Sequence, residues 1–423
     1  MKNKRTLALL FLANSISGFA QGISMIAIPW YFAGVLGQPQ IFGKAYAIIT
    51  FISMIWTFFA GSLVDRYPRK NLFMSLNIGG AAIIGSIALL GFILGHVPVI
   101  AVLGAFLTTI LIYNIHYPTL YAFGQEITDR QHFSRLSSYI EIQGQVTAML
   151  AGGMAALLLS GTQGYTLQIF DLSIALPFRI KAWSLQQIFL LDAATYVLTF
   201  LIISRIRYVP LTTRNIETGP VINRLKSGWR FLAQRPYFLL FGICTLSIFV
   251  VTVVHEFYLL SVYVSGYLGA GANVYAICQF FYSVGAICAG IFIRLAFRGL
   301  RNVEGVIILI SIMTILLFLV GFYKSVLLLF LFSLMLGLCN AGSRIMRVTY
   351  IFNQVPNDVI GRVNSVFSMS HTLGRTLFIS LFAMPFFLAH EQIIYAYFIF
   401  GTYTAIAVVT LLLIRNRLPV SRV

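Results

Sequence analysis

Charged side chains stand inside several long apolar stretches of this chain of 423 residues. Arg344, Arg347 and Arg375 are basic, whereas Glu141 and Glu256 are acidic, so the cations are in excess. The guanidinium group is suited to planar, bidentate binding of carboxylates and phosphates. The excess of arginine therefore predicts a binding site for an anionic or zwitterionic small molecule with aromatic or amphipathic character.

The two glutamates are candidates for proton coupling. Desolvation disfavours a charged carboxylate and a nearby arginine favours it, so a carboxyl group that meets both environments in turn can bind and release a proton. Glu256 fits this role better than Glu141, for which an ion pair with Arg344 or Arg347 is the alternative. His255 precedes Glu256, but neighbouring side chains on a helix point about 100° apart and need not act together.

Uncharged polar residues accompany these charges at helical spacing, which places them in stripes along single helix faces. The candidate substrate-binding residues are Gln21, Tyr117, Gln145, Gln279, Arg344, Arg347, His371 and Arg375. For Tyr117 the alternative is packing, because it forms an aromatic stripe with Tyr113 and Tyr121. Asp192 is expected to cap a helix or to lie in a helix interface.

Catalytic chemistry finds no support in the sequence. It contains no HExxH, GxSxG or Walker motif and no paired intramembrane aspartates. The four cysteines fall in apolar stretches without CxxC or Cys/His spacing, which is typical of buried thiols. We therefore predict that the protein is not an enzyme and has neither a cofactor nor a metal site.

The elements that must position these residues are membrane-spanning helices. Apolar residues make up 59% of the chain and charged ones only 9%, with a mean hydropathy of +0.90. This composition excludes a disordered chain, a secreted disulfide scaffold and a cytosolic enzyme. Apolar runs long enough to cross a bilayer recur along the chain, so the predicted class is an all-α membrane protein with twelve transmembrane helices. The predicted spans are 6–36, 42–64, 71–95, 98–123, 137–161, 185–205, 237–266, 271–293, 304–323, 325–352, 363–388 and 391–414.

The net charge of +18 reports the orientation of these helices. Of the 29 lysines and arginines, 22 fall on the side that holds both termini and four on the other side. Positively charged loops stay in the cytoplasm, so both termini of this multi-pass protein are predicted to be cytoplasmic and the number of spans to be even. The positive charge therefore does not indicate nucleic-acid binding.

A long connection divides the chain into two halves. We predict six-helix bundles over 1–205 and 237–423, joined by a cytoplasmic linker over 206–236 that contains a short basic amphipathic helix. The segment Glu126-Ile-Thr-Asp-Arg130 after span four resembles Gln354-Val-Pro-Asn-Asp358 after span ten. Two repeated six-helix halves are the plan of many secondary transporters.

The loop after span two reads Gly61-Ser-Leu-Val-Asp65-Arg66-Tyr-Pro-Arg69-Lys70. Gly61 allows two helices to approach closely, and Asp65 can pair with an arginine or cap the next helix. The loop resembles the G-x-L-x-D-R-x-x-R-K signature of the major facilitator superfamily. The resemblance implies a gating loop of Gly61, Asp65, Arg66 and Arg69 that holds the cytoplasmic side closed in one state and opens in the other.

Shorter segments resemble the macrolide-efflux and enterobactin-exporter branch of this superfamily. They are Ile26-Ala-Ile-Pro-Trp30, Tyr117-Pro-Thr-Leu120 and Gln354-Val-Pro-Asn-Asp358. The G-P-x-x-G-G motif of drug antiporters is present only as its glycine pair, Gly152 and Gly153. Many relatives have an acidic residue in span one, where this chain has Gln21. The direction of transport and its coupling therefore stay open.

The resemblance implies a multi-pass secondary transporter of the bacterial inner membrane that works by alternating access. We expect proton-coupled efflux of an amphipathic, anionic small molecule, such as a siderophore-like metabolite, a macrolide or another drug. The alternatives are an importer of an anionic metabolite or ferric siderophore, a lysolipid flippase and a transporter-like receptor. The expected partners are the substrate, protons or another coupling ion and the lipid bilayer, and the protein is expected to function as a monomer.

Overall fold

The computed structural model describes residues 4–128, 133–161, 166–169, 172–175, 179–206, 221–356, 359–389 and 391–419. Helices make up almost all of this part of the chain. The first six long helices are α1 (Lys4–Trp30), α2 (Pro39–Arg66), α3 (Arg69–Leu94), α4 (Val99–Glu126), α5 (Phe133–Ser160) and α6 (Leu185–Ser204). The remaining helices are α7 (Val221–Ala233), α8 (Pro236–Thr245), α9 (Ser247–Val254), α10 (Leu260–Val262), α11 (Ala272–Ala296), α12 (Asn302–Phe322), α13 (Val326–Gln354), α14 (Ile360–Phe382), α15 (Pro385–Leu388) and α16 (Ile394–Ile414).

The prediction of an all-helical membrane fold is confirmed. Within the described residues, ten helical segments are long and apolar enough to cross a membrane. They correspond to every predicted span except 42–64 and 363–388, and those two regions are the helices α2 and α14. The number of crossings and the side on which the termini lie stay predictions.

Two short strands interrupt the helical pattern between α5 and α6, which the sequence analysis did not predict. Strand β1 (Thr166–Ile169) pairs antiparallel with strand β2 (Leu172–Ala175). A second difference concerns the predicted span 363–388, because α14 ends at Phe382 and the short α15 follows. Pro385 opens α15, and the residue before it, Met384, is extended with ψ 144°, as expected before a proline.

The chain forms two compact units. Unit 1 comprises residues 1–37, 52–217 and 271–280. In it α6 packs against α1 and α3, and α1 also packs against α5. Its core is a cluster of buried apolar side chains from α1, α3, α4, α5 and the end of α6: Leu7, Leu10, Ala13, Phe73, Leu120, Phe123, Leu136, Ile140, Ile203 and Ile206.

Unit 2 comprises residues 38–51, 218–270 and 281–423. In it α12 packs against α13 and α16, and α14 packs against α9 and the amphipathic α7. Helices α11 and α13 approach each other closely at two glycines. A Cβ atom on Gly285 would overlap the carbonyl oxygen of Leu334, and one on Gly337 would overlap the carbonyl oxygen of Tyr282. Small residues of this kind allow helix backbones to touch inside a membrane.

The region of the seventh predicted span, 237–266, is not one regular helix. It consists of α8, α9 and α10 with π-helical turns at His255–Leu259 and Tyr263–Leu268. In the first of these turns the Leu260 amide donates to the His255 carbonyl, five residues earlier. Such turns are rare and occur frequently at functional sites.

Candidate functional site

The first π-helical turn of unit 2 holds two buried titratable side chains next to each other. The Nε2 atom of His255 lies 3.8 Å from the Oε1 atom of Glu256, and their side chains are 1% and 5% exposed. On its other ring nitrogen, His255 contacts the hydroxyl group of Tyr397 in α16, with an Nδ1–oxygen distance of 3.3 Å. The imidazole is thus fixed between Glu256 and a second helix.

Glu256 also adjoins a tyrosine that is part of a polar contact. The Tyr282 hydroxyl interacts electrostatically with Glu256 and with Arg344. It accepts a hydrogen bond of 2.9 Å from the Asn340 amide in α13. Tyr282 and Asn340 therefore connect α11 and α13 to the turn that carries Glu256. Both side chains can donate and accept hydrogen bonds.

Arg347 lies deep in unit 2 and is only 8% exposed. Its Nη1 atom donates to the carbonyl oxygen of Thr245 at 3.0 Å. Thr245 is the last residue of α8, where carbonyl groups lack their usual helical partners. Arg344, one turn earlier on α13, is half-buried and adds its positive charge to that of Arg347.

The predicted residues of α14, His371 and Arg375, approach the same region of unit 2. The His371 ring meets Phe249 edge-on, with ring centroids 4.9 Å apart. Both Arg347 and Arg375 act electrostatically on His371, and Arg375 also acts on Tyr46. The structure therefore brings together the predicted residues Arg344, Arg347, His371 and Arg375, and we call this group the arginine cluster.

Two members of the arginine cluster, Arg347 and Arg375, have little compensating negative charge in the described part of the chain. The Nη2 atom of Arg375 donates to Thr372 Oγ1 at 3.3 Å, whereas its Nε atom is buried without a hydrogen-bond partner in the described part of the chain. Among the described residues, neither Arg347 nor Arg375 forms an ion pair. A guanidinium group that is removed from water without a carboxylate partner is costly, unless a ligand supplies the anion.

The predicted residues of unit 1 have partners of their own among the described residues. Gln21 donates through Nε2 to the Tyr196 hydroxyl at 3.1 Å. The Tyr117 ring packs against Tyr113 at a tilt of 43°, with ring centroids 4.6 Å apart. Its hydroxyl lies against Gly144, next to the half-buried Gln145.

The glycine pair of the antiporter motif has a packing role in unit 1. A Cβ atom on Gly152 would lie 3.0 Å from the Phe280 amide nitrogen and 3.4 Å from the Gln279 carbonyl carbon. Gly152 therefore lets α5 approach the first residues of α11, where the half-buried Gln279 lies.

A polar network in unit 1 was missed by the sequence analysis. The Nε2 atom of His116 lies 2.7 Å from Asn14 Oδ1, and the Asn14 amide donates to Gln143 Oε1 at 3.0 Å. Gln143 in turn donates to Ser15 Oγ at 2.8 Å. The spacing of Tyr113, His116 and Tyr117 on one face of α4 was a usable signal, but nothing in the spacing indicates partners on α1 and α5.

Glu141 has a partner from the aromatic stripe of α4. The Tyr121 hydroxyl donates to Glu141 Oε1 at 2.8 Å. At Tyr121 the aromatic stripe therefore makes a hydrogen bond in addition to its packing contacts.

The gating loop is described in part. The Arg69 side chain forms an ion pair with Glu126, the last residue of α4, with Nε–Oε1 at 3.5 Å and both groups about nine-tenths buried. Lys70 donates to the Ser204 and Ile206 carbonyl groups at the end of α6. Arg66 is exposed and Gly61 lies in α2, whereas the surroundings of Gly61 and the Asp65 side chain are outside what the structure describes.

Comparison of the whole fold with solved structures gives several similar transporters. A D-xylose-proton symporter has 13% identity and a TM-score of 0.70, with 95% of this chain and 96% of that chain covered. The nucleoside transporter NupG has 13% identity and a TM-score of 0.68, with coverage of 97% and 99%. The human organic anion transporter MFSD10 (TETRAN) has 14% identity and a TM-score of 0.61, with coverage of 97% and 100%. At these identities the similarity shows the fold alone.

Sequence comparison assigns the chain to a family. No sequence among curated proteins matches it. The family model of the Major Facilitator Superfamily, in contrast, matches residues 10–379, which is most of the chain. Together with the helical fold and the transporter structures that resemble it, this match shows that the chain belongs to the major facilitator superfamily of membrane transporters.

Proposed function

We propose that the protein exports an amphipathic, anionic small molecule by proton-coupled alternating access. The observation that carries the proposal is the arginine cluster. In it Arg347 is buried, Arg375 is half-buried with a buried Nε atom, and neither has a carboxylate partner among the described residues. The two halves, 1–205 and 237–423, would move around the bound substrate while the linker 206–236 joins them. The protein would act as a monomer in the bacterial inner membrane.

Substrate recognition follows from the chemistry of the arginine cluster. A bound carboxylate, catecholate or phosphate would supply the anion that Arg347 and Arg375 lack, and the planar guanidinium groups favour bidentate contacts. Phe249, packed edge-on against His371, provides an apolar ring near these charges. An anionic molecule with an aromatic or amphipathic part therefore fits better than a cationic drug, which would require acidic partners.

Proton coupling is assigned to Glu256 and, in second place, to Glu141. Glu256 is 4% exposed, so its charged form is expensive unless a proton or cation neutralises it. His255, 3.8 Å away, can accept or donate that proton through its imidazole. Tyr121 donates to Glu141, which leaves its carboxylate compensated in part and makes it the less suitable carrier.

Export is preferred over import because of the resemblance to the macrolide-efflux and enterobactin-exporter branch. Within that branch a siderophore-like metabolite fits the arginine cluster better than a macrolide does. Import of an anionic metabolite or ferric siderophore and flipping of a lysolipid use the same cluster, so they are the competing functions. A receptor without transport is disfavoured because the loop signature from Gly61 to Lys70 is retained.

Control of the cytoplasmic side is assigned to the gating loop of Gly61, Asp65, Arg66 and Arg69. The ion pair between Arg69 and Glu126 joins this end of α3 to the end of α4. We propose that Asp65 and Arg66 act next to this end of α3. The loop would hold the cytoplasmic side closed in one state and allow it to open in the other.

Ligand binding to the purified protein tests the substrate class. Thermal unfolding is measured with iron-free catecholate and carboxylate siderophores, a macrolide and a cationic dye. We expect stabilisation by anionic compounds, because a ligand that binds only the folded protein raises its stability. The variant Arg375→Gln should lose this stabilisation while unfolding at a similar temperature without ligand. Stabilisation by the cationic dye alone would refute the assignment.

A further inference from the structure

Asp192 is a buried acidic residue that the proposed transport cycle does not use. It lies in α6, its side chain is 0% exposed, and neither carboxyl oxygen has a regular hydrogen-bond partner among the described residues. It does not cap its helix, because Ser184 occupies the N-cap position of α6. The expectation that it lies in a helix interface is met, but an interface alone does not explain an acid there.

The carboxyl group of Asp192 points toward α1. It adjoins the hydroxyl group of Ser24, which is itself 1% exposed and makes no regular hydrogen bond in the described part of the chain. Two buried oxygen-bearing groups from two helices therefore lie next to each other, and the contact between them is weaker than a regular hydrogen bond. Buried polar groups normally have partners, so this pair indicates a ligand that contacts both.

Tyr196, one turn further along α6, also lies next to the carboxyl group of Asp192. Its ring packs against Gly80 of α3, where a Cβ atom would lie 3.0 Å from the ring. Its hydroxyl group accepts the hydrogen bond from Gln21 on α1. Tyr196 is thus held by both neighbouring helices, and it also interacts electrostatically with Asp192.

No positive side chain compensates Asp192 among the described residues that face it. On α6 the neighbouring titratable group is Tyr196, on α1 the neighbours are Ser24 and Gln21, and α3 contributes Gly80. The basic residues of α3 lie at its other end, where they bind Glu126 and backbone carbonyl groups. A carboxylate that is removed from water is unstable without a compensating charge, so we expect a small cation to accompany Asp192.

We propose that Asp192 and Ser24 form a second cation-binding site, in unit 1, that takes one monovalent cation, either a proton or Na⁺. A proton would bind to a carboxyl oxygen of Asp192 and donate a hydrogen bond to Ser24 Oγ. A sodium ion would instead be held by oxygen atoms alone, which hard cations prefer. Through Tyr196 the site is connected to Gln21, so its occupancy affects the contact between α1 and α6. The site does not depend on Glu256 or on the nature of the substrate.

Two measurements on the purified full-length protein test the site. Infrared difference spectra during a pH titration detect the C=O stretch of a protonated carboxylic acid. Thermal unfolding in NaCl and in choline chloride detects binding of Na⁺. A band that is lost in Asp192→Asn and kept in Glu256→Gln assigns a proton to the site. Stabilisation by NaCl that is lost only in Asp192→Asn assigns Na⁺.

A second variant keeps the test decisive if Asp192→Asn does not fold. In Ser24→Ala the carboxyl group stays, but the site loses the hydroxyl oxygen that would contact the bound proton or Na⁺. We expect either a shifted C=O band or an apparent Na⁺ affinity about tenfold lower, since a hydrogen bond to a charged group has roughly that effect. The proposal is overturned if Asp192→Asn and Ser24→Ala both match the wild type in band and in salt response. Loss of the band in Glu256→Gln alone would also overturn it, without affecting the assignment of Glu256.

Discussion

The imidazole of His255 lies 3.8 Å from the carboxylate of Glu256, although the two residues are neighbours in the sequence. A regular α-helix separates such neighbours by about 100°, which would direct them to different surroundings. Here both belong to a π-helical turn, in which more residues complete one turn and consecutive side chains lie at a smaller angle. The local backbone thus places an acid and a base side by side in the interior of unit 2.

The first prediction concerns this pair. Glu256→Gln keeps the shape of the side chain but removes its proton-binding site, so transport driven by a pH gradient should fall at least about tenfold. Exchange of labelled for unlabelled substrate needs no net proton movement and should continue. The measurement compares both modes in proteoliposomes. Unchanged gradient-driven transport in Glu256→Gln would remove Glu256 from the mechanism.

The second prediction concerns the arginine cluster. Arg375→Gln should lower the affinity for an anionic substrate by about tenfold or more, because a charge-assisted contact is lost. The affinity for a neutral substrate should not change. Arg375→Lys should restore part of the affinity, since it keeps the charge but not the bidentate geometry. Equal loss for neutral and anionic substrates would indicate a folding defect and contradict the assignment.

Arg347 calls for a different control. Its guanidinium group donates to the Thr245 carbonyl, so Arg347→Gln also disturbs the joint between α8 and α9. We expect this variant to unfold at a lower temperature than Arg375→Gln, because Arg375 donates to the hydroxyl group of Thr372 on its own helix. Thermal unfolding without ligand distinguishes the two effects. If Arg347→Gln is as stable as wild type, the contact with Thr245 contributes nothing measurable.

The gating loop gives the third prediction. Asp65→Asn should reduce turnover and leave expression and folding intact, because the loop acts on the exchange between states. Glu126→Gln should instead destabilise the protein by about 3 kcal/mol, since it removes one partner of a buried ion pair. Turnover and thermal unfolding are measured for both variants. Wild-type turnover in Asp65→Asn would eliminate the gating role.

Helix packing in unit 2 gives the fourth prediction. Gly285→Ala would place a methyl group onto the Leu334 carbonyl, so we expect a loss of about 1–3 kcal/mol from overpacking. Gly290→Ala is the matched control on the same helix, because nothing lies within 4 Å of its Cβ position. Alanine also favours the helix there, so the control should be neutral or slightly stabilising. Equal stability of the two variants would contradict the close contact between α11 and α13.

Sequence patterns predicted the helices well because each span must satisfy its backbone hydrogen bonds internally and present apolar side chains to lipid. The arginine cluster was also predictable. A charged side chain that faces lipid is costly, so Arg347 and Arg375 were expected to face the interior of the protein. The π-helical turn at His255 could not be predicted from the sequence, because it changes the angle between side chains without altering the hydropathy pattern. The end of α14 was misjudged although Pro385 was visible, because the apolar run continues past it.

Partners across helices account for the rest of what the sequence did not reveal. Gln21 was selected as a substrate ligand, yet its amide binds Tyr196, which lies 175 residues away in the chain. His116 and Gln143 escaped notice although they complete a network with Asn14. Helical spacing determines which residues share a face of one helix. It does not determine which face of another helix they meet.

Transport in everted membrane vesicles tests the central claim most directly. Vesicles that contain the protein are given iron-free catecholate and carboxylate siderophores, macrolides and cationic dyes, with and without a proton ionophore. We predict that an anionic compound accumulates, that the ionophore abolishes this accumulation, and that Arg375→Gln reduces it. Accumulation of none of these compounds, together with uptake of ferric siderophores by right-side-out vesicles, would contradict export and make the protein an importer.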